Sequence, residues 1–394
     1  MQVTKITRLI VGTVMMLFSG IIYAWSILKA PLHTELGWSN TALGLNFTIT
    51  LCCFCIGGLL GGIMTKKISP RSSVLIAAIL AFSGFVIASR VNSNIIILYL
   101  SYGGLLGLGI GIAYNVVIST ITGWFSHRRA TASGVLMMGF GASSLLIGTL
   151  TNKLIGNIGW RSTYFYLGIA VLIVLGLGSI FVVPSKKVQE KRELQGNIDM
   201  SPGEALSSPD FWKFYTYAML LASVGTGVIS FAKDIALSSG VSETLAATSV
   251  GMLSVCNGLG RVVTGGIYDK AGGSKTMISA NVFAIASVLM VLAALRTSSS
   301  PLLLIGLCMI GFAYGTMPPI LTGFLNNRFG SRSFSVIFSF ANTILIPASF
   351  MSTISASIIS TKGNYIAVFL LFLAMAIVGL GINISIHVPM KRAR

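Results

Sequence analysis

The chain has 394 residues and a net charge of +18, with 54% hydrophobic and only 9% charged residues and a mean hydropathy of +0.87. A soluble domain carries roughly 25% charged residues, so this composition excludes a soluble enzyme and indicates a polytopic membrane protein. The five cysteines all lie inside apolar runs and the three histidines are dispersed near segment ends. This distribution argues against a disulfide framework, a metal site or a catalytic triad.

Twelve apolar segments follow one another along the chain, each long enough to span a bilayer and each bounded by charge, proline or glycine. The first has a short basic head and no small-residue cleavage site, so we interpret it as a spanning helix and not as a signal peptide. The pattern predicts an all-α polytopic membrane protein with twelve transmembrane helices. The segments cover residues 7–28, 41–64, 73–90, 96–122, 133–155, 162–183, 211–232, 245–268, 276–295, 301–323, 334–359 and 364–388.

The longest polar stretch, 184–210, lies in the middle of the chain. It contains three prolines and nine of the 36 charged residues. We therefore predict an N-terminal six-helix bundle over 1–183, a cytoplasmic linker over 184–210 and a C-terminal six-helix bundle over 211–394.

The basic residues follow the predicted topology. Nineteen of the 27 lie at the termini or in even-numbered connections, seven lie in odd-numbered connections, and Arg261 lies apart from both groups. This bias is the positive-inside rule, which places both termini in the cytoplasm of what we expect to be a bacterial inner membrane. The high net charge is thus a topology signal, and no nucleic-acid partner is predicted.

The two halves of the chain repeat each other. After the second segment the chain has the string GGIMTKKISPRSS, and after the eighth it has GGIYDKAGGSKTM. Repeats six helices apart are typical of transporters built from two equivalent bundles. On these strings the chain resembles the major facilitator superfamily over nearly its whole length, which implies two pseudo-symmetric six-helix bundles.

The second copy of this loop is similar to the signature loop of that superfamily, whereas the first copy departs from it. Thr65 or Lys66 stands in the first copy where the family has an aspartate. The resemblance therefore implies a gating loop in the second copy and leaves the gating contact of the N-terminal half unpredicted. The predicted gating residues are Asp269, Lys270, Gly265 and Arg129.

Arg261 is the one ionisable side chain well inside a predicted span. No other charge occurs from Ala246 to Tyr268, and Asp269, at the cytoplasmic end, is about 12 Å away along a helix. A hydrocarbon core is about 30 Å thick, so Arg261 lies near its middle, where a guanidinium is costly and cannot deprotonate. A fixed cation there most naturally binds an anion. The alternative is a structural arginine bonded to backbone carbonyls of a neighbouring helix.

Four further strings, in order across both halves, resemble the oxalate/formate antiporter family, which is related to the monocarboxylate transporters. They are YAWSILKAP, WFSHRRATASG, GEALSSPDFW and NGLGRVVTGGIYDK. Members of that family carry small carboxylates, and their eighth-helix arginine, which neutralises the substrate, matches Arg261. The oxalate carriers add an eleventh-helix lysine where this chain has Ala341 or Asn342, and that difference favours a substrate with one carboxylate.

Asn257 lies four residues before Arg261, on the same helix face. A carboxylate occupies the matching position in proton-coupled monocarboxylate carriers, and an asparagine cannot titrate. All nine acidic residues lie in loops or at segment ends, so no carboxylate relay is predicted through the bundle. We therefore favour exchange or uniport over proton coupling by such a relay.

Aromatic residues, together with Asn115, match pocket positions of the resembled family. Tyrosine hydroxyls can donate to carboxylate oxygens while the rings exclude water, and packing between helices is the alternative for each of these residues. The predicted substrate-binding residues are Arg261, Tyr23, Tyr114, Tyr314, Asn257, Asn342, Phe140 and Trp25.

Two classes of function remain. The first is a secondary transporter of a small organic anion, foremost a monocarboxylate, that works by alternating access with Arg261 neutralising the carboxylate. The second is an exporter of drug-like or amphipathic compounds with the same fold, in which Arg261 is structural. Intramembrane carboxylates usually accompany drug or cation exchange, and the predicted segments contain none, so we favour the first. We expect a monomer in a lipid bilayer, with no enzymatic activity, no cofactor and no metal.

Overall fold

The computed structural model describes residues 4–185, 200–331 and 333–386 of the chain. Nearly all of these residues are helical, and none of them forms a β-strand. The all-α fold that the segment pattern predicts is therefore confirmed. Most of the predicted linker, residues 186–199, lies outside the described residues.

Among the described residues, ten helices are long and apolar enough to cross a bilayer, and a helix pair over 209–238 that bends by 59° makes an eleventh. One of the ten, Arg129–Phe181, has 53 residues and would be about 80 Å long, far more than one crossing needs. Gly159 divides it, because its φ of 75° and ψ of 161° are not helical. Counting that stretch as two spans gives the twelve helices that the sequence predicts.

We number these spanning helices α1 to α12 in chain order. Their bounds are Lys5–Leu36 (α1), Asn40–Lys67 (α2), Pro70–Ser89 (α3), Ile95–Thr122 (α4), 129–158 (α5), 160–181 (α6), Pro209–Ser238 (α7), Glu243–Ala271 (α8), Gly273–Thr297 (α9), Ser300–Phe329 (α10), Phe334–Lys362 (α11) and Ile366–Ile384 (α12). A short helix, Pro202–Ser207, precedes α7.

Besides the bend in α7, three spanning helices change geometry in mid-course. Helix α1 has a 3₁₀ turn at Gly20–Ala24, α4 has a π-helical stretch at Tyr99–Leu106, and α11 is interrupted between Asn342 and Leu345. The interruption in α11 comes directly before Pro347. Pro347 lacks an N–H, and its ring clashes with the carbonyl four residues earlier, so regular helical hydrogen bonding fails there.

Helices α2 and α4 pack with their backbones in contact because glycines line the interface. A methyl group on Gly57 would collide with the carbonyl of Leu108, and one on Gly111 would collide with the carbonyl of Phe54. Small residues at such an interface let membrane helices approach closely. This approach places Phe54 of α2 directly beside α4.

The chain forms two compact units. The first comprises Met1–Ser126, Val135–Asp199 and Ser331–Asn342, and the second comprises His127–Gly134, Met200–Gly330 and Thr343–Arg394, as far as these ranges are described. The first part of α11 therefore belongs to the first unit, and the first turn of α5 belongs to the second. Helix α5 is the fifth helix of the predicted N-terminal half, and α11 is the fifth helix of the predicted C-terminal half. The division into bundles over 1–183 and 211–394 stays a prediction.

Candidate functional site

Arg261 is buried inside α8, with 7% of its surface exposed. Its Nε donates a 3.0 Å hydrogen bond to Oδ1 of Asn257, which is also buried. The two residues lie on the same face of the helix, as their spacing of four predicts. An amide oxygen orients the guanidinium without carrying a charge of its own.

Helix α10 packs against this part of α8. Gly315 lies so close to the backbone of Asn257 that any methyl group would collide with the Asn257 carbonyl. The preceding residue, Tyr314, is near enough to Arg261 for the two side chains to interact electrostatically. The second unit thus brings together three of the predicted site residues, namely Arg261, Asn257 and Tyr314.

The first unit contains a group of five aromatic side chains, which we call the aromatic cluster: Tyr23, Phe54, Tyr114, Phe140 and Phe338. The ring centroids of Tyr114 and Phe140 are 5.0 Å apart, and Tyr23 meets Phe140 edge-on at 5.3 Å. Phe54 lies 5.1 Å from Tyr114, and Phe338 stacks on Tyr114 at 6.1 Å. The structure therefore brings three of the predicted wall residues into one cluster.

Phe54 and Phe338 belong to the aromatic cluster although no sequence motif marks them. For Phe54 a signal exists, since Gly57 follows it by three residues and Gly111 precedes Tyr114 by three. Matched glycines of this kind indicate that the two helices approach closely at those rings. Phe338 has no such signal, because only the packing of helices within the first unit brings it to Tyr114.

Trp25 lies apart from the aromatic cluster. Its ring packs on Tyr102 with centroids 4.6 Å apart, and its indole N–H donates a 3.0 Å hydrogen bond to the carbonyl of Leu43. The side chain is buried, with 4% exposed. These contacts give Trp25 a packing role among α1, α2 and α4, and the structure does not bring it together with Tyr23.

Asn342 ends the first part of α11, where the helix is interrupted. Its carbonyl accepts a hydrogen bond from the Cys55 thiol at an Sγ–O distance of 4.0 Å. Ala341 is almost fully buried, whereas Asn342 is 8% exposed. Of the two positions that match the lysine of the oxalate carriers, Asn342 is the less enclosed.

Asn115 joins α4 to the beginning of α11. Its Nδ2 donates a 3.0 Å hydrogen bond to the backbone carbonyl of Ser335, and the Ser335 hydroxyl donates back to Oδ1. Both polar ends of the Asn115 side chain are engaged in this reciprocal pair. The structure thus gives Asn115 a role in helix attachment, next to Tyr114 but distinct from a pocket wall.

Asp269, the predicted gating aspartate at the end of α8, caps the beginning of α5. Its Oδ2 accepts hydrogen bonds from the backbone N–H of Thr131 at 2.8 Å and from the Thr131 hydroxyl at 2.7 Å. Its Oδ1 accepts a longer bond of 3.3 Å from the N–H of Ala130. The first N–H groups of a helix have no partner within the helix and carry partial positive charge, so a carboxylate is well suited to this place.

The other predicted gating residues surround this contact. Gly265 lies against the carbonyl of Ala130, and a methyl group there would approach that oxygen to 2.6 Å. Arg129, at the start of α5, is buried, whereas Lys270 is exposed. Glycine at 265 is thus required for α8 to come close enough for Asp269 to reach α5.

The first copy of the loop makes no such cap among the described residues. The Thr65 hydroxyl donates to the carbonyl of Gly62 in its own helix at 2.8 Å, and Lys66 is exposed. The beginning of α11 is held instead by the neutral pair of Asn115 and Ser335. The departure seen in the sequence of the first loop therefore corresponds to a real difference between the attachments of α5 and α11.

The profile of the Major Facilitator Superfamily matches residues 9–345. The chain therefore belongs to the Major Facilitator Superfamily, as the loop repeat predicts. It is an integral membrane protein and a secondary transporter, not an enzyme.

Two kinds of relatives match the narrower resemblance. The oxalate:formate antiporter of Oxalobacter formigenes is 25% identical over 327 residues, covering 81% of this chain and 77% of that protein. Monocarboxylate transporter 12 of Mus musculus is 25% identical over 357 residues, covering 82% of this chain and 73% of that protein. The uncharacterized transporter YhjX of Escherichia coli K12 is 26% identical over 265 residues, 66% of this chain and 65% of that protein, so the chain spans about two thirds of its length.

Solved structures show the same fold. The proton:xylose symporter XylE has a TM-score of 0.76 at 16% identity, covering 98% of this chain and 96% of that chain. The fucose:proton symporter FucP of E. coli has a TM-score of 0.72 at 13% identity, covering 98% of this chain and 100% of that chain. At these identities the likeness concerns the fold alone.

Proposed function

We propose that this protein transports a small organic anion, foremost a monocarboxylate, with Arg261 neutralising the carboxylate. The observation that carries the proposal is a buried arginine in mid-span whose Nε is held by a neutral amide, that of Asn257, at 3.0 Å. A guanidinium can give a carboxylate two parallel hydrogen bonds, and these strengthen where water is excluded. The similarity to an oxalate:formate antiporter and to monocarboxylate transporters supports the same class of substrate.

Exchange or uniport is the proposed mode of transport. Asn257 accepts a hydrogen bond from Arg261, and it cannot take up or release a proton. A proton relay would need a carboxylate deep in a span, yet the chain carries its nine acidic residues in loops or near segment ends. A bound carboxylate can instead leave in exchange for another, because each one compensates the same fixed cation.

A panel of carboxylates tests the substrate class. A ligand at 100 times its dissociation constant stabilises the folded protein by about 2.7 kcal/mol, so binding raises the melting temperature of purified protein. We expect one or more of formate, lactate, pyruvate and larger monocarboxylates to raise it, and oxalate to do so less, because its second carboxylate has no predicted cation.

Asn342→Lys extends this prediction, since it adds a cation at the less enclosed of the two eleventh-helix positions. We expect it to shift the preference toward oxalate. Asn342→Gln is the matched control, because it adds length without charge. An equal shift in both variants would contradict the electrostatic explanation.

Tyr23 and Tyr114 are proposed to donate hydrogen bonds to the carboxylate. Each Tyr→Phe change would then remove one hydrogen bond to a charged acceptor, which weakens binding by about 1.5–3 kcal/mol, or roughly ten- to hundredfold. The measurement is the dissociation constant of the best monocarboxylate. Tyr102→Phe is the control, because the buried Tyr102 hydroxyl has no hydrogen-bond partner among the described residues, and its loss should leave affinity unchanged.

We also propose that both termini and the 184–210 linker lie in the cytoplasm of a bacterial inner membrane. In intact cells, a membrane-impermeant maleimide should label Ser298→Cys, between α9 and α10, and leave Gln195→Cys unlabelled until the membrane is permeabilised. Labelling of position 195 from outside would overturn the topology.

A further inference from the structure

Cys256 of α8 and Cys308 of α10 lie side by side. Their thiols are within hydrogen-bonding distance of each other, and both side chains are partly exposed. We propose that this pair is a two-thiol modification site for neutral, thiophilic reagents of the trivalent organoarsenical class, reached from the lipid side of the protein.

The backbones of the two helices hold the thiols together. One turn after the pair, Gly260 of α8 lies against the carbonyl of Phe312 on α10, where a methyl group would collide. Gly260 and Phe312 are each four residues beyond Cys256 and Cys308, so the two pairs lie in the same row of the interface. The close approach that the glycine permits therefore extends to the thiols and fixes their separation.

The position of the pair on α8 points to the bilayer. Met252, Val255 and Leu259 are between 46% and 52% exposed and lie on the side of the helix opposite Arg261. Cys256 lies at the edge of this apolar face, toward α10. A reagent dissolved in lipid can reach this face, whereas the proposed carboxylate site is on the other side of the helix.

The apolar surroundings favour a neutral reagent, which dissolves in lipid, over an ionic one. Phenylarsine oxide needs no ionised thiol in its overall reaction. Two As–S bonds form, the As–O double bond breaks, and the oxygen leaves as water with both thiol protons. Arsenic keeps its oxidation state, and two thiols at a fixed short distance hold it as a chelate.

The test uses purified full-length protein in which Cys52, Cys53 and Cys55 are replaced by alanine, leaving the proposed pair. After treatment with phenylarsine oxide and a wash with excess 2-mercaptoethanol, intact mass should show one arsenical per chain. In denatured protein, where both thiols are accessible, maleimide should find neither free, and after 2,3-dimercaptopropanol it should label both. Cys256→Ser and Cys308→Ser, each in this background, should retain no arsenical through the wash.

Two results would overturn the site. One is an arsenical that persists in either serine variant, and the other is a folded two-cysteine protein that retains none. If the triple alanine variant does not fold, the serine changes are made in the wild-type chain. Each should then lower the retained arsenical by one equivalent, and retention equal to wild type would assign the reaction to Cys52, Cys53 and Cys55.

Discussion

A folded Arg261→Gln variant will not take up the carboxylate that the wild-type protein transports. Glutamine keeps hydrogen-bonding capacity but removes the charge that compensates the bound anion. Removing one partner of a buried ion pair leaves the other uncompensated and costs about 3–5 kcal/mol, which lowers affinity by roughly a hundredfold or more. Uptake into proteoliposomes and the dissociation constant from thermal shifts measure the loss.

Arg261→Lys separates charge from geometry. Lysine retains the positive charge but loses the planar fork that gives a carboxylate two parallel bonds, so transport should fall sharply while some binding persists. Lysine also cannot reproduce the bond from Nε to Asn257 in the same geometry. The expected order of affinity is therefore arginine, then lysine, then glutamine.

Arg161→Gln is the matched control for loss of an arginine. Arg161 donates to the carbonyls of Val91 at 2.7 Å and Ser89 at 3.3 Å, so it is a structural arginine near the beginning of α6. Its replacement should lower the melting temperature without changing carboxylate affinity. A folded Arg261→Gln protein that binds the carboxylate as tightly as wild type would place recognition elsewhere and favour the exporter of amphipathic compounds.

The sequence predicts the helices well because membrane spans have a strong local signal. Apolar length alone identifies the spans, and positive φ at Gly159 falls in the short gap predicted between segments five and six. Pro318 and Pro319 show the limit of local rules, since α10 continues through both of them, whereas α11 is interrupted just before Pro347. Neighbouring helices and side chains decide whether a proline in a membrane helix kinks or breaks it.

The site is predictable only where its contacts lie within one helix or carry a charge. The pair of Arg261 and Asn257 follows from a spacing of four in α8. The contact of Phe338 with Tyr114 and the reciprocal bonds of Asn115 with Ser335 join helices that are more than 200 residues apart in sequence. No local pattern encodes which neutral side chains meet across such distances, so packing alone determines them.

The Asp269 cap is likewise predictable in part: the sequence marks the carboxylate but not its partners. The second loop copy predicts Asp269 as a gating residue, but the partners of its carboxylate, the first N–H groups of α5, follow only from the fold. Asp269→Asn should weaken this attachment, because the charge is lost and the amide N–H₂ faces donors. Hydrogen bonds to a charged group contribute about 1.5–3 kcal/mol each, so the melting temperature of the purified protein should fall by several degrees.

If this cap is a gate, Asp269→Asn should also change the rate of transport while Arg261 still binds the carboxylate. Thr131→Val removes one donor to the same carboxylate oxygen, so it should reproduce part of the effect.

Glu204→Gln is the control, because Glu204 also caps the beginning of a helix. Hydrogen bonds from Ser201 hold the pKa of the exposed Glu204 below its usual range. The helix that Glu204 caps is too short to cross a membrane, so Glu204→Gln should not change the transport rate. An Asp269→Asn protein with wild-type stability and a wild-type transport rate would show that the cap on α5 contributes to neither. Equal effects of Glu204→Gln and Asp269→Asn would point to a general loss of negative charge, since Asp269 joins α8 to the start of another spanning helix and Glu204 caps its own short helix.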